Sequence, residues 1–478
     1  MMYDAAIIGG GISGLTAAYD LHRRGRRIVV LERRQQIGGN AISERISGFL
    51  MEHGPTTLNA TVPQAVELSR ELGLSAESLD LGPAVRKRYL RDRDDLLHGI
   101  SVHPAGFFLS PYLSISARLS LVGEMFRPRM SAAEDESVHD FATRRFGREF
   151  ADKVMAPLAS GMFGGDSHRL SLHATFPKLK KMEQKHGSLI RGVMRARVGS
   201  EPGKRLFSFR DGIAMLPQRL ARAIAGSVQT GAAVTSISKR ADGYQVNTHK
   251  HGVLRAKAII LAVQPHVAAQ LLGPLDIDAA SAASRIDAPP MSVVFLGYRQ
   301  DQVGHPLDSL GFLSVRDAGG IIAGAQFCST MFSGRAPDGF ISVSAYVGGC
   351  GNRDGARMPR DELMREVHGE LAGLLQIRGE PVLSRCRQWD RSLPQYELGH
   401  GDRMDALETL CQRHEGLHVT GNYLKGVSVA NCIGQARRVA SDVDCYLGVA
   451  KVSTDEARCC GSGVRTPDRR YDQTGRAP

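Results

Sequence analysis

The chain opens with YDAAII (3–8), then GGGISG, LTAAYDLHRRG ending at Gly25, and RRIVVLE. An apolar run, a glycine turn, a stretch of helical periodicity and a second apolar run read as strand, turn, helix and strand. Gly9, Gly11 and Gly14 stand in the G-x-G-x-x-G register. The first glycine permits the tight turn, the second lets a pyrophosphate approach the backbone, and the third lets helix pack on strand. Ile12 and Ser13 follow in the helix whose free N–H groups would face that anion. Glu32 closes the second strand, where a carboxylate accepts from a ribose hydroxyl and repels a 2′-phosphate. In this context the motif predicts an α/β dinucleotide-binding domain and disfavours NADP.

The next residues favour FAD over NAD. IGGN (Ile37–Asn40) supplies a second glycine pair, Gly38 and Gly39, and GFLMEHGPTTL (Gly48–Leu58) supplies Gly54, Thr56 and Thr57 as further cofactor contacts. A basic residue commonly precedes such a glycine pair in flavoproteins. Gln35 and Gln36 stand there instead, so Arg33 or Arg34 is expected to compensate, the alternative being a solvated turn.

A chain of 478 residues has room for two or three domains. The formal charge of +12 points to anionic partners: nucleic acid, a headgroup layer or an acidic substrate, with a plain solvated basic surface as the bland alternative. Zinc-finger spacing, a basic heptad coil and an aromatic RNA-binding signature are all absent from the sequence, so nucleic acid is not expected. All eight cysteines fall in the C-terminal half without a CxxC, which argues against a metal site or a disulfide scaffold. With no signal peptide recognised, reduced thiols in the cytoplasm are expected. Apolar runs such as AIILAV (Ala258–Val263) are too short to span a bilayer, so membrane contact would lie on one face, the cytoplasmic one.

Composition shifts divide the chain. Residues 1–85, 199–265 and 386–450 read as three segments of one nucleotide-binding domain, 266–385 as an α+β domain, and 86–198 as a helix-rich region. AAVTSISKRADGYQVNT (Ala232–Thr248) is a hairpin that brings Val234 towards the cofactor, and LRAKAIILAVQP (Leu254–Pro265) is a buried strand. Large apolar residues beside Arg118, Arg127 and Arg129 give the helical region faces that either pack on a core or lie in a headgroup layer. Residues 451–478 lack apolar periodicity and are expected to be disordered.

Several segments resemble oxygen-dependent protoporphyrinogen oxidases. These are GFLMEHGPTTL, KRYL (Lys87–Leu90), SGMFGGDSHRLSLHATFPKLKKMEQKHGSL (Ser160–Leu189), FSFRDGIAMLP, MFSGRAP (Met331–Pro337), YVGGCGNRD (Tyr346–Asp354), LPQYELGH (Leu393–His400) and GNYLKGVSVANCIGQA (Gly421–Ala436), in the family's order across most of residues 3–447. The resemblance implies a p-hydroxybenzoate-hydroxylase-like, Rossmann-related FAD domain, a mixed α+β substrate domain and a helical membrane-associating domain. It implies non-covalent FAD and oxidation of protoporphyrinogen IX to protoporphyrin IX, with O2 as acceptor and H2O2 as product. A homodimer is compatible with it, although nothing in the sequence sets oligomeric state.

By the same resemblance Arg88 would meet a substrate propionate, Leu313 and Tyr346 would sandwich the ring, and Gly161, Gly164 and Gly165 would leave room for it. Tyr346 stands where some members carry phenylalanine, and its hydroxyl needs a partner. Gln326 stands where certain members have a second leucine. Without the resemblance these residues read as strand core, surface arginine and turn glycines. Hydride transfer from a methylene bridge to flavin N5, with proton loss from a pyrrole N–H, leaves the protein to position and exclude, so no catalytic acid or base is assigned. His400 reads as structural. Gly421, Asn422, Val427, Ser428 and Val429 would lie beside the isoalloxazine, where a helix N-terminus favours the negative charge of reduction. Coproporphyrinogen III oxidation, an amine oxidase or desaturase reaction, and a non-catalytic porphyrin carrier are the competing readings. The GNYLKG segment, which lacks an acidic residue and an aromatic pair, weighs against an amine oxidase.

Overall fold

The computed structural model describes residues 2–101, 111–131, 134–196, 206–315 and 318–459. Its first sheet runs Val228–Gln229, Ile28–Leu31, Met2–Ile8, Gly252–Leu261, Gly243–Thr248 and Val234–Arg240, with Leu417–Val419 also paired to Gly252–Leu261. The central strands are parallel and the last two form an antiparallel hairpin. All four residues of Ile28–Leu31 are buried, as expected where helices cover both faces of a parallel sheet. Helices Ile12–Arg23, Met215–Ala223 and Val429–Cys459 cover one face, and Pro265–Leu272, Ile277–Ser284 and His400–Arg413 the other. Strands from three separated stretches of chain thus build this sheet.

The second sheet runs Leu383–Trp389, Met291–Arg299, Phe340–Gly348, Ile322–Phe327, Ser309–Ser314, Lys87–Arg91 and Leu97–Ser101. One face packs on the apolar side of helix Arg360–Leu375 through residues such as Leu296, Phe327, Val367 and Leu371. Two expected boundaries change here. The region from 86 does not begin as helix, because Lys87–Arg91 and Leu97–Ser101 extend this sheet. The other edge strand continues to Trp389, beyond 385.

Helices Ile115–Gly123, Val138–Phe146, Ala156–Phe163, Pro177–His186 and Leu189–Ala196 follow. Helix Val138–Phe146 supplies Arg145 to a fully buried ion pair with Glu124, which follows helix Ile115–Gly123. Glu124 also accepts from Ser188 Oγ at 2.5 Å and Leu189 N at 3.0 Å, and Arg145 donates to the carbonyls of Arg127 and Gly187. These hydrogen bonds offset the cost of charge in an interior, although Arg145 Nε is buried without a partner among the described residues. Arg118, Arg127 and Arg129 donate to the carbonyls of Leu113, Arg144 and Gln184, so these three arginines also serve internal packing.

The expectation of disorder from 451 fails at its start: helix Val429–Cys459 continues through it, and residues 460–478 lie outside the described residues. The six cysteines whose side chains are described are free. Among the described residues no helix is long and apolar enough to cross a membrane.

Candidate active site

The glycine turn is shaped by the groups packed against it. Gly9 has φ +110°, and a Cβ there would overlap Ala262 O; a Cβ at Gly14 would overlap Gly9 O. Gly11 differs: an added Cβ would meet only Gly39 Cα, at 3.8 Å. The space above Gly11 is therefore open to a ligand, and a larger residue would fill it. Gly11 and Gly38 form a parallel bridge, so the two glycine segments make one cradle. Helix Ile12–Arg23 begins at Gly11 without a side-chain cap, leaving its first N–H groups free for an anion.

Glu32 is buried beside this cradle and accepts from Gly10 N at 2.7 Å and Arg34 N at 2.8 Å. Arg34 Nη1 donates to Gly39 O at 3.1 Å, whereas Arg33 is exposed. Of the two arginines expected to brace the glycine pair, the structure places Arg34 there. Ala232 N donates to Glu32 O at 2.8 Å, which brings the strand beginning at Val234 to the same corner. Gly54 packs so tightly on Asn40 O that a Cβ would overlap it, which holds the chain at Gly54 against the residue that follows the second glycine pair. This cradle, with an uncapped helix end and a ribose-height carboxylate, fits an FAD pyrophosphate and ribose.

The loop Gly421–Ser428 leads into helix Val429–Cys459, so the helix opens at Val429. Ser428 Oγ accepts from Asn431 N at 3.2 Å as its cap. Three groups hold the loop. Tyr396 Oη donates to Asn422 O and accepts from Gly426 N, His400 Nε2 donates to Leu424 O at 3.1 Å, and Gln435 Nε2 donates to Lys425 O at 2.7 Å. Tyr396 and His400 stack with ring centroids 4.1 Å apart. Burial pushes the His400 pKa down to about 4, so its ring is neutral and fixed by its hydrogen bond. His400 is thus structural, as expected, and Tyr396 is the residue that motif reading alone missed. Its signal was the length of the LPQYELGH match, which exceeds what a turn and a helix start require.

The candidate substrate residues share one face of the second sheet. Leu90, Leu313, Gly324 and Tyr346 lie opposite one another on four neighbouring strands. Leu313 points at helix Ala156–Phe163, where a Cβ on Gly161 would overlap its side chain; Met291 and Gln395 crowd Gly164 and Gly165 likewise, so these three glycines give close packing of protein on protein and not the open room expected for the ring. Gly164, with φ +62°, ends that helix, and its carbonyl accepts from Cys350 N at 2.7 Å. Gln395 Nε2 donates to Phe163 O at 2.8 Å, and a Cβ on Gly165 would overlap Gln395 Oε1. Val427 packs on the cluster containing Phe163. The sheet face, the glycine-bearing helix end and the loop before Val429 therefore converge.

Tyr346 Oη donates to Gln326 Oε1 at 3.0 Å, which supplies the partner its hydroxyl needs. Burial raises the Tyr346 pKa, so the phenol stays protonated. Arg88 keeps solvent access, yet protein crowding its charged end lowers its pKa by desolvation. No carboxylate among the described residues pairs with it, whereas neighbouring Lys87 pairs with Asp308 at 3.0 Å. A separate apolar cavity of about 1800 Å³ is lined by Met155, Leu158, Phe176, Met182 and Val193 and reaches Ser428. None of Arg88, Gly161, Leu313, Gln326 and Tyr346 lines it.

The model of the flavin containing amine oxidoreductases matches residues 12–444. The chain is 30% identical to protoporphyrinogen oxidase 1, chloroplastic, of Spinacia oleracea, over 93% of this chain and 84% of the relative. It is 27% identical to coproporphyrinogen III oxidase of Bacillus subtilis (strain 168), over 92% and 98% respectively. A crystal structure from Exiguobacterium sp. 255-15 that carries the protoporphyrinogen oxidase name superposes with a TM-score of 0.81 at 23% identity, covering 92% of this chain and 98% of that one. By its sequence, over nearly its whole length, the chain belongs to the flavin-containing amine oxidoreductases and, within them, to the protoporphyrinogen oxidase family.

Proposed function

We propose that this protein oxidises a porphyrinogen to the porphyrin, with protoporphyrinogen IX as the first substrate to test and O2 as the acceptor that yields H2O2. The observation that carries this reading is the apolar row Leu90–Leu313–Gly324–Tyr346, flanked by the cation of Arg88, which pairs with no carboxylate among the described residues. A large apolar macrocycle with carboxylates at its rim needs a flat apolar clamp and a cation rather than a set of acids and bases. FAD, when bound, supplies the hydride acceptor. In this reading Gly9, Gly11, Gly14, Glu32, Arg34, Gly38 and Gly39 hold its dinucleotide end. Asn422, Val427 and Ser428 border its reactive end, where the helix N-terminus favours negative charge. Arg88 orients the substrate and the surrounding apolar faces exclude water.

Coproporphyrinogen III is the second reading, favoured by the Bacillus relative and by the polar Tyr346–Gln326 pair. We also propose that the helical region contacts a membrane on one face. Ile115, Leu119, Val122 and Phe126 are 74, 67, 45 and 80% exposed and recur at helical spacing, and Val193 and Met194, which line the apolar cavity, are exposed as well.

The test is an aerobic assay of the FAD-loaded protein with both porphyrinogens, following porphyrin fluorescence and peroxide together. Porphyrin and peroxide appearing in step support the reading. A yellow protein that turns over neither substrate removes it and favours the carrier.

A further inference from the structure

We infer that Gln326 is a specificity-determining residue that receives a second rim carboxylate of the substrate, opposite the one held by Arg88. This rests on the porphyrinogen reading above and narrows the substrate class to macrocycles that are acidic at more than one side.

Lys87 pairs with Ser309 and Tyr89 with Phe312, so Arg88 stands opposite a bulge of Leu310 and Gly311, and Gly311 lies opposite Gln326. Side chains two apart on a strand share a face. Arg88, Gly311 and Gln326 therefore form a row next to the apolar row of Leu90, Leu313, Gly324 and Tyr346, on the same face. Two inter-strand spacings, roughly 10 Å, separate the Arg88 and Gln326 backbones. The middle position is bare: Gly311 has φ +137°, and a Cβ there would overlap Ala325 O. The floor between cation and amide is thus held free of side chains.

The Gln326 amide has a fixed direction. Its Oε1 accepts from Tyr346 Oη, and its Nε2 has no hydrogen-bond partner among the described residues. Gln326 lies two residues from Gly324 on its strand, so its half-buried side chain leaves the sheet on the same face as the ring clamp. An apolar residue would suit a vinyl group at this point of the rim. An oriented N–H donor suits a carboxylate, and leaving a donor unmet beside an apolar macrocycle disfavours the less acidic substrate. Protoporphyrinogen has vinyl groups where coproporphyrinogen keeps two further propionates, so the two differ at the groups that this donor would read.

The test measures kcat/KM of the FAD-loaded wild type, Gln326→Leu and Gln326→Glu with each porphyrinogen. Gln326→Leu is expected to lower the coproporphyrinogen-to-protoporphyrinogen ratio by roughly tenfold or more, and Gln326→Glu to lower it further by placing like charges together. Tyr346→Phe, which frees the amide to rotate, should move the ratio the same way by less. An unchanged ratio in a Gln326→Leu protein that retains FAD and turnover overturns the inference and leaves the porphyrinogen reading standing. A wild type inactive on both substrates overturns that reading itself, before any variant is compared.

Discussion

Tyr396 Oη lies 2.6 Å from the carbonyl oxygen of Asn422, and the same phenol accepts from Gly426 N at 3.0 Å. One buried side chain therefore ties both ends of the loop that delivers helix Val429–Cys459 to the site. Tyr396→Phe leaves the Gly426 N–H and the Asn422 carbonyl without that partner, a loss of about 1–3 kcal/mol. The stack on His400 survives, so the fold should too. We expect FAD to be retained, the thermal midpoint to fall by a few degrees, and kcat to drop more than KM rises. A shifted flavin reduction potential would separate this positioning role from simple destabilisation. An unchanged kcat and potential would reduce Tyr396 to packing.

Gly11 and Gly14 should fail in different ways. At Gly14 a side chain collides with Gly9 O, so Gly14→Val disrupts the packing of the first helix on its strand. At Gly11 φ is −80° and the protein leaves room for a Cβ, so Gly11→Val folds but fills the space above the turn. The expected outcome is a protein with native far-ultraviolet circular dichroism and no bound flavin absorbance. Stoichiometric FAD in Gly11→Val would contradict the cradle.

How much of this was legible beforehand depends on the range of the interaction. The βαβ unit is local: the strand, turn and helix around Gly9–Gly14 lie within one stretch of chain, and their pattern states the fold. Leu313, Tyr346 and Arg88 are separated by up to hundreds of residues, and only motif resemblance put them on one list. Their common face follows from strand register, which the apolar pattern of each strand alone does not set. The strands Lys87–Arg91 and Leu97–Ser101 were missed because a short edge pair beside a helical region carries little periodicity of its own. The choice between Arg33 and Arg34 was invisible for a different reason: adjacent residues of one type differ only in where the turn aims them. Tyr396 escaped notice because a phenol's role as a two-way hydrogen-bond bridge exists only once the loop is placed.

Glu52 makes the fold sensitive to pH. Desolvation raises its pKa to about 7, against the pull of Arg335, Ser43 Oγ at 2.5 Å and Ile213 N at 2.9 Å. The native state thus holds a proton that the unfolded chain has released above about 4.5. With more protons bound in the native state, stability falls as pH rises from about 4.5 to 7, by an order of about 3 kcal/mol if no other group intervenes. Glu52→Gln keeps the shape and removes this titration. Urea unfolding at pH 5.5 and 8 should show a smaller loss in the variant than in the wild type. Equal losses in both would place the pH dependence elsewhere.

Leu119 and Phe126 stand out to solvent from the helical region, and their burial in lipid would recover apolar area that the fold leaves exposed. Leu119→Glu with Phe126→Glu should leave FAD content and the assay in detergent unchanged while reducing co-sedimentation with anionic vesicles severalfold. Because +12 of net charge also attracts such vesicles, the comparison belongs at high salt, where the electrostatic part is screened. Undiminished co-sedimentation at high salt would argue against this face.

Among the described residues no carboxylate neutralises Arg88 on the sheet face, while Lys87 beside it pairs with Asp308. A guanidinium in that state contributes to binding more than to the hydride step, since a rim carboxylate carries the same charge before and during reaction. Uniform binding appears in KM rather than kcat. Arg88→Ala should therefore raise KM for a porphyrinogen by roughly tenfold or more, with kcat changed only slightly. Arg88→Lys keeps the charge but loses the two-point grip, so it should fall between. A porphyrinogen esterified at its carboxylates offers the complementary measurement: the wild type should bind it as weakly as Arg88→Ala does, and the substitution should add nothing further. If esterification and substitution weaken binding independently, the carboxylate lies elsewhere on the face and Arg88 leaves the site.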